Sequence, residues 1–205
     1  MMNKRLVWNF ELQSNDPIDF KQLAEEEREL LRWEARHFWP ESSIVPLQGL
    51  PDYFLDLSHY QIKKRQDTYF LIPDKALNIK KRRDELLYKP LIQQTENSQA
   101  FGKKVNLTNQ ASENTVMGSP PLTVNQVFIL LQNSPQIDVD KTALIVKLPT
   151  TPVIKIELAR LSIVGRNYFS VCIEGRSEYL VNQISQRIIP HSQTSDYVRF
   201  LQEIQ

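Results

Sequence analysis

Cysteine and glycine are scarce in this 205-residue chain, and each shortage excludes something. The single cysteine, Cys172, rules out an intramolecular disulfide framework and a cysteine-based zinc site. Glycine occurs only 5 times, and neither a P-loop nor a dinucleotide-binding fingerprint is found. Glycine-rich phosphate cradles are therefore disfavoured. Charge of one sign is also lacking. Lys+Arg total 25 against 24 Asp+Glu, for a formal net charge of +1. A dedicated nucleic-acid binder usually carries a strong basic excess. Nucleic acid is thus disfavoured as a partner, although a local basic pocket balanced by acids elsewhere stays open. No apolar run approaches ~18 residues, so neither a membrane span nor a membrane partner is expected. With one cysteine and no signal-peptide pattern, a reducing cytoplasm is the expected setting. Histidine is sparse too: His37, His59 and His191 show no metal-ligand spacing. His37 reads as a surface or interfacial residue, and His59 as a neighbour of a basic block that could touch an anion.

That block, RQDTYFLIPDKALNIKKRRDELLYK over 65–89, is the most informative stretch present. It reads as three short strands at 67–72, 77–83 and 86–91. Turns fall at Pro73-Asp74-Lys75 and Asp84-Glu85. Side chains alternate faces along a strand. Arg65, Asp67 and Tyr69 therefore share one face, as do Asn78, Lys80 and Arg82, while Leu77 and Ile79 point the other way. An ordinary half-buried sheet turns such a face to water. A closed barrel can turn it into a lumen. A lumen lined with Lys and Arg suits a polyanion, most obviously phosphates.

Elsewhere, alternation over 4–13 predicts a strand with Trp8, Phe10 and Leu12 on one side and Asn9, Glu11 and Gln13 on the other. Asn15-Asp16-Pro17 signals a helix start. A stripe of Phe20, Leu23, Leu30, Leu31 and Trp33 predicts a helix over 18–38, stopped by Pro40. A strand is expected at 53–57. Residues 94–121 are polar and read as a mobile loop or linker, within which Phe101 to Leu107 could form a short strand. A helix capped by Thr123 is expected over 122–132, strands at 142–148, 153–162 and 167–174, and helices at 179–188 and 194–204.

The later strands repeat the pattern of the first group. Lys155 and Glu157 oppose Ile154, Ile156 and Leu158; Ser170, Cys172 and Glu174 oppose Phe169, Val171 and Ile173. Lys147 stands in an otherwise apolar strand. Mixed acids and bases inside a barrel have a chemical reading. Lys and Arg hold phosphate oxygens, while carboxylates hold Mg²⁺ or Mn²⁺ that bridge to them. Cys172 has no indicated partner and reads as a small strand residue rather than a nucleophile.

These motifs resemble the CYTH superfamily, the triphosphate tunnel metalloenzymes. That family includes thiamine-triphosphatase-like and class IV adenylate-cyclase-like proteins and inorganic triphosphatases. The resemblance is carried by Asp67-Thr68-Tyr69-Phe70, Pro73-Asp74, Leu77-Asn78-Ile79-Lys80 and Leu87-Tyr88-Lys89, followed by Lys147, Ile156-Glu157-Leu158 and Ile173-Glu174. It implies an α+β fold: an antiparallel, closed or nearly closed β-barrel forming a tunnel, with helices packed outside, as a single domain over 1–205. It also implies substrate contacts at Arg65, Lys80, Arg82, Lys89, Lys147 and Lys155. The implied metal ligands are Glu11, Glu157 and Glu174, for Mg²⁺ or Mn²⁺. The chain departs from the family at its opening E-x-E-x-K, where Asn9, Glu11 and Gln13 stand. It departs again at Asn78 and Lys80 on the basic strand, and at Cys172 beside Glu174. Fewer carboxylates should weaken Mg²⁺ binding. Two readings follow: a divergent triphosphate or organic-phosphate hydrolase, or an inactive barrel that binds a phosphate-rich ligand or a protein. An RNA-binding module is the third and least favoured.

Overall fold

A computed structural model describes residues 3–13, 16–73, 75, 77–116, 121–190 and 192–205. Asn15 of the expected helix start, Asp74 of the expected turn and His191 lie outside the described residues. In chain order the strands are β1 (Lys4–Val7), β2 (Phe10–Gln13), β3 (Arg32–Pro40), β4 (Val45–Gln48), β5 (Gln61–Phe70), β6 (Asn78–Arg82), β7 (Glu85–Lys89) and β8 (Leu91–Gln94). They continue with β9 (Gln99–Phe101), β10 (Val105–Asn106), β11 (Thr115–Val116), β12 (Leu122–Thr123), β13 (Gln136–Lys147), β14 (Lys155–Ile163) and β15 (Arg166–Gly175). The helices are α1 (Val124–Leu131), α2 (Glu178–Ile188) and α3 (Tyr197–Glu203). Among the described residues no helix is long and apolar enough to cross a membrane. Residues 94–121, expected as loop, carry β9, β10, a 3-10 turn at Leu107–Asn109 and β11; 117–120 lie outside the described residues.

The architecture is α+β, built on one ten-stranded antiparallel sheet in the order β10-β7-β6-β5-β13-β14-β15-β3-β9-β8. The ladder is open, with β10 and β8 as its edges, so the expected closed barrel is corrected to an open one. Its curl is nevertheless strong. Six strand intervals separate β7 from β3 in the sheet order, about 29 Å if the sheet were flat. Yet Lys89 Nζ of β7 lies 2.5 Å from Glu34 Oε1 of β3. The chain itself joins the two ends, because Pro90 alone separates β7 from β8, and Pro90 accepts a hydrogen bond from Gly102 N–H at 3.0 Å. Pro90 has no N–H to give a ladder, which suits a break in strand pairing at this seam.

The convex face of the sheet is apolar where α1, α2 and a small sheet of β1, β2 and β4 cover it, and polar elsewhere, as at Lys64, Gln66, Asp138, Asp140 and Arg160. Trp33, Ala35, Leu144, Val146, Ile156, Leu158, Val171 and Ile173 bury there with Leu180, Val181, Ile184 and Ile188 of α2 and with that small sheet. A second outer cluster packs α1 on Ile79 and Tyr88 through Val124, Val127 and Leu131. Thr123 caps α1 as expected, and Gln126 completes a capping box that was not foreseen. The helix α3 departs from the expectation of helices outside. Its Tyr197 and Phe200 bury against Tyr69, Ile137, Val139, Leu161 and Phe38, which share the concave face with the charged residues. At that end the concave face is itself apolar, so leaving it wet would waste buried area. Phe38 and Phe200 stack at 3.9 Å, and Tyr69 and Tyr197 at 4.9 Å.

The helix expected over 18–38 is not formed. Residues 17–31 are irregular and 32–40 form β3. Tertiary hydrogen bonds override helical propensity here. Glu26 N–H donates to Thr151 O at 2.9 Å and Glu29 N–H to Arg176 O at 2.9 Å. The Glu29 carboxylate accepts from Trp33 Nε1 at 2.5 Å and from Glu178 N–H at 2.6 Å. The strand expected at 53–57 is instead two 3-10 turns, Asp52–Leu55 and Leu57–His59.

At the end of β15 the backbone passes close to a fully buried side chain. A Cβ at Gly175 would sit 2.1 Å from Ile154 Cδ1. Gly175→Ala should therefore cost about 1–3 kcal/mol through overpacking. Urea unfolding would show this as a lower midpoint at unchanged slope, and Gly175→Ala/Ile154→Val should recover much of the loss.

Candidate functional site

The curl that bends the sheet gathers its concave side chains around a cavity of about 1090 Å³. Alternation decides who enters it. From β5 come Lys63, Arg65, Asp67 and Tyr69; from β13, Lys141 and Lys147; from β14, Lys155 and Glu157; from β15, Glu174; from β3, Arg32, Glu34 and Arg36. Lys80 of β6, Lys89 of β7 and the connection residues Lys103 and Lys104 complete the basic wall. Twelve Lys and Arg line the cavity against five Asp and Glu. The whole chain carries a net charge of only +1, so positive charge is concentrated here and balanced elsewhere. Tyr197 of α3 lies at the inner end, where Arg36 stands 5.4 Å and Lys141 5.9 Å from its ring centre.

Four concave carboxylates each meet two cations. Asp67 takes Lys80 at 2.8 Å and Arg82 at 2.6 Å, the latter through both carboxylate oxygens. Glu157 Oε1 takes Arg36 at 3.0 Å and Lys141 at 2.5 Å. Glu34 takes Lys89 at 2.5 Å and Arg36 at 3.8 Å. Glu174 takes Lys155 at 3.4 Å and Arg32 at 3.8 Å. Arg36 thus links two carboxylates, and its Nη1 also donates to Ser170 Oγ at 3.3 Å. Burial pushes the carboxyls of Glu34, Asp67 and Glu157 up, but the cations outweigh it and hold all three below the ordinary range. They are therefore charged at neutral pH, as buried groups can be only when paired.

Other cations are not paired. Among the described residues Lys63, Arg65, Lys103, Lys104 and Lys147 make no ion pair, and all five line the cavity. Lys104 is open to solvent by area, yet it feels its enclosure. Desolvation and the charges of Lys80, Arg82, Lys89 and Arg65 push its ammonium down to about 8. An anion among these groups would reverse that pressure.

Of the expected substrate contacts, Arg65, Lys80, Lys89, Lys147 and Lys155 line one cavity, while Arg82 is held on Asp67 beside it. Of the expected metal ligands, Glu157 and Glu174 line the cavity. Glu11 does not join them. It lies in the separate β1-β2-β4 sheet, bonded to Asn3 at 3.1 Å and near Arg5 at 3.6 Å. Asn9 donates there to Glu41 O and Ser43 O. The concave positions at the start of the barrel belong instead to Arg32, Glu34 and Arg36, which sequence reading missed. Their signal was the alternation of Trp33, Ala35 and His37 against Glu34 and Arg36. It is masked because it continues the Glu- and Arg-rich run of 25–32, which has helical spacing. Lys141 was missed as well, although it shares its parity with Lys147. His59 lies on the cavity wall and contacts Tyr53 O at 3.0 Å. His37 is buried on the convex side, with Nδ1 3.1 Å from Gln193 O and Nε2 2.9 Å from Ser185 Oγ. Cys172 is buried opposite Arg36, and desolvation pushes its thiol well up, so it stays a thiol.

No protein-family model matches the chain. No curated protein matches it either. Among solved structures, it is similar to a crystal structure from Bacillus halodurans of a protein provisionally named an adenylate cyclase. The identity is 10%, over 70% of this chain and 83% of that chain, with a TM-score of 0.35.

Proposed function

We propose that the cavity binds a small polyanion, a triphosphate or another multiply phosphorylated molecule, within a barrel of the triphosphate-tunnel type. One observation carries this reading: twelve cations face five carboxylates in a concave space, in a chain whose net charge is only +1. Like charges held together repel, and concave low-dielectric walls strengthen the field. A polyanion relieves that repulsion and gains charge-assisted hydrogen bonds. Lys63, Arg65 and Lys147 supply them without giving up an existing partner. Arg65 can engage two phosphate oxygens at once, and the lysines act as point charges. Binding is preferred to hydrolysis because four of the five lining carboxylates are each held by two cations; the fifth, Asp196, spends Oδ1 on capping α3, and its Oδ2 is the remaining candidate base.

The test is thermal unfolding and titration calorimetry with tripolyphosphate, with phosphate release followed in the same samples. At a hundred times its Kd the ligand should add about 2.7 kcal/mol of stability. Lys63→Ala/Arg65→Ala should weaken binding tenfold or more without lowering stability of the free protein. Binding with no phosphate release is expected. Sustained release would favour the hydrolase, and no binding would discard the polyanion site.

A further inference from the structure

The CYTH resemblance leads one to expect Mg²⁺ or Mn²⁺ between carboxylate and phosphate. The donor set does not fit that role. Glu11 belongs to the other sheet. Glu174 lies opposite Lys155 in the β14–β15 ladder and opposite Glu34 in the β15–β3 ladder, while Glu157 lies opposite Cys172. The carboxylates are thus interleaved with Lys155, Arg36, Lys89 and Lys141, and among the described residues no three acidic, His or Cys side chains gather as a metal site would need. Each of these carboxylates already holds two cations. A divalent ion entering here would meet ammonium and guanidinium groups at contact distance and would have to displace them. A phosphate chain meets the opposite situation, because Lys63 and Arg65 are present with their charge uncommitted.

We propose that the cavity takes its polyanion free of divalent metal, with Lys and Arg side chains alone neutralising it. This inference rests on the polyanion reading above. In such a site a carboxylate is a competitor of the ligand, since it draws cations away and repels phosphate. In a metal-bridged site the same carboxylate would be a ligand. Removing its charge therefore has opposite signs in the two cases. Glu174 suits the test because it is partly exposed, as are Lys155 and Arg32, so its loss leaves no buried ion stranded.

The experiment is calorimetric titration of the full chain with tripolyphosphate, first in the presence of a chelator and then with Mg²⁺ or Mn²⁺. Binding should occur with chelator and weaken severalfold with Mg²⁺, because the ion masks ligand charge in solution. Glu174→Gln should tighten binding severalfold in both buffers. Binding only when metal is added, or a tenfold loss in Glu174→Gln, overturns the inference while leaving the polyanion site standing. No binding in any buffer overturns the polyanion reading, and this inference with it.

Discussion

Replacing Arg36 with Met should cost about 3–5 kcal/mol of stability, the usual penalty for removing one partner of a buried ion pair. In a chain of 205 residues that lowers the melting temperature by roughly 6–20 °C. The size follows from position. Arg36 is only 8% exposed and stands between two carboxylates, Glu157 at 3.0 Å and Glu34 at 3.8 Å. Lys141 and Lys89 remain on those carboxylates, which holds the loss within this range. Methionine fills most of the volume, so the cost is electrostatic more than steric. Arg36→Met/Glu157→Leu should lose more rather than recover, because Glu157 is the ion-pair partner of Lys141 among the described residues and its removal strands that buried ammonium. A loss under ~1 kcal/mol in the single variant would mean that the network is solvated and contributes little.

Acid should weaken the fold in two separable steps, and the first belongs to His37. Burial lowers this imidazole from its ordinary 6.5 to about 4, with Arg36 adding to the effect and the carbonyls of Gln193 and Ser192 opposing it. The unfolded chain therefore binds a proton that the folded chain refuses. The stability at stake is fully present above pH 6.5 and is lost as pH falls toward 4. It amounts to about 3 kcal/mol over the window, at up to ~1.4 kcal/mol per pH unit. The depressed carboxyls of Glu34, Asp67 and Glu157 act later. Their contribution is complete above the ordinary carboxylate range near 4.5 and is lost below it. Chemical unfolding at half-unit pH steps would resolve the two. His37→Gln should flatten the upper step and leave the lower one intact. Stability that stays flat between pH 6.5 and 4.5 would refute the role given to His37.

How much of this was legible in the sequence depends on how many faces of a strand are polar. Period two shows in β14 and β15, and from Leu77 into β6, because apolar residues alternate there with polar ones, whereas β5 carries Lys64, Gln66 and Thr68 on its convex face and is betrayed by the parity of Arg65, Asp67 and Tyr69 alone. Their registers could be read directly, and with them Arg65, Lys80, Lys155, Glu157 and Glu174. The strand β3 hid itself although Arg32, Glu34 and Arg36 alternate with Trp33 and Ala35. Its charged residues continue the Glu- and Arg-rich run before it, which imitates a helix. Local propensity cannot show that Glu29 will cap α2 and hold Trp33. The same error moved the barrel's opening strand to 4–13, where Glu11 lies away from the cavity. The inward course of α3 was equally illegible, since an amphipathic helix reads alike on either side of a sheet.

The tyrosine pair, backed by α3, closes the cavity on that side. A polyanion held as proposed would set its leading group beside Arg36 and Lys141 and would leave by the side it entered.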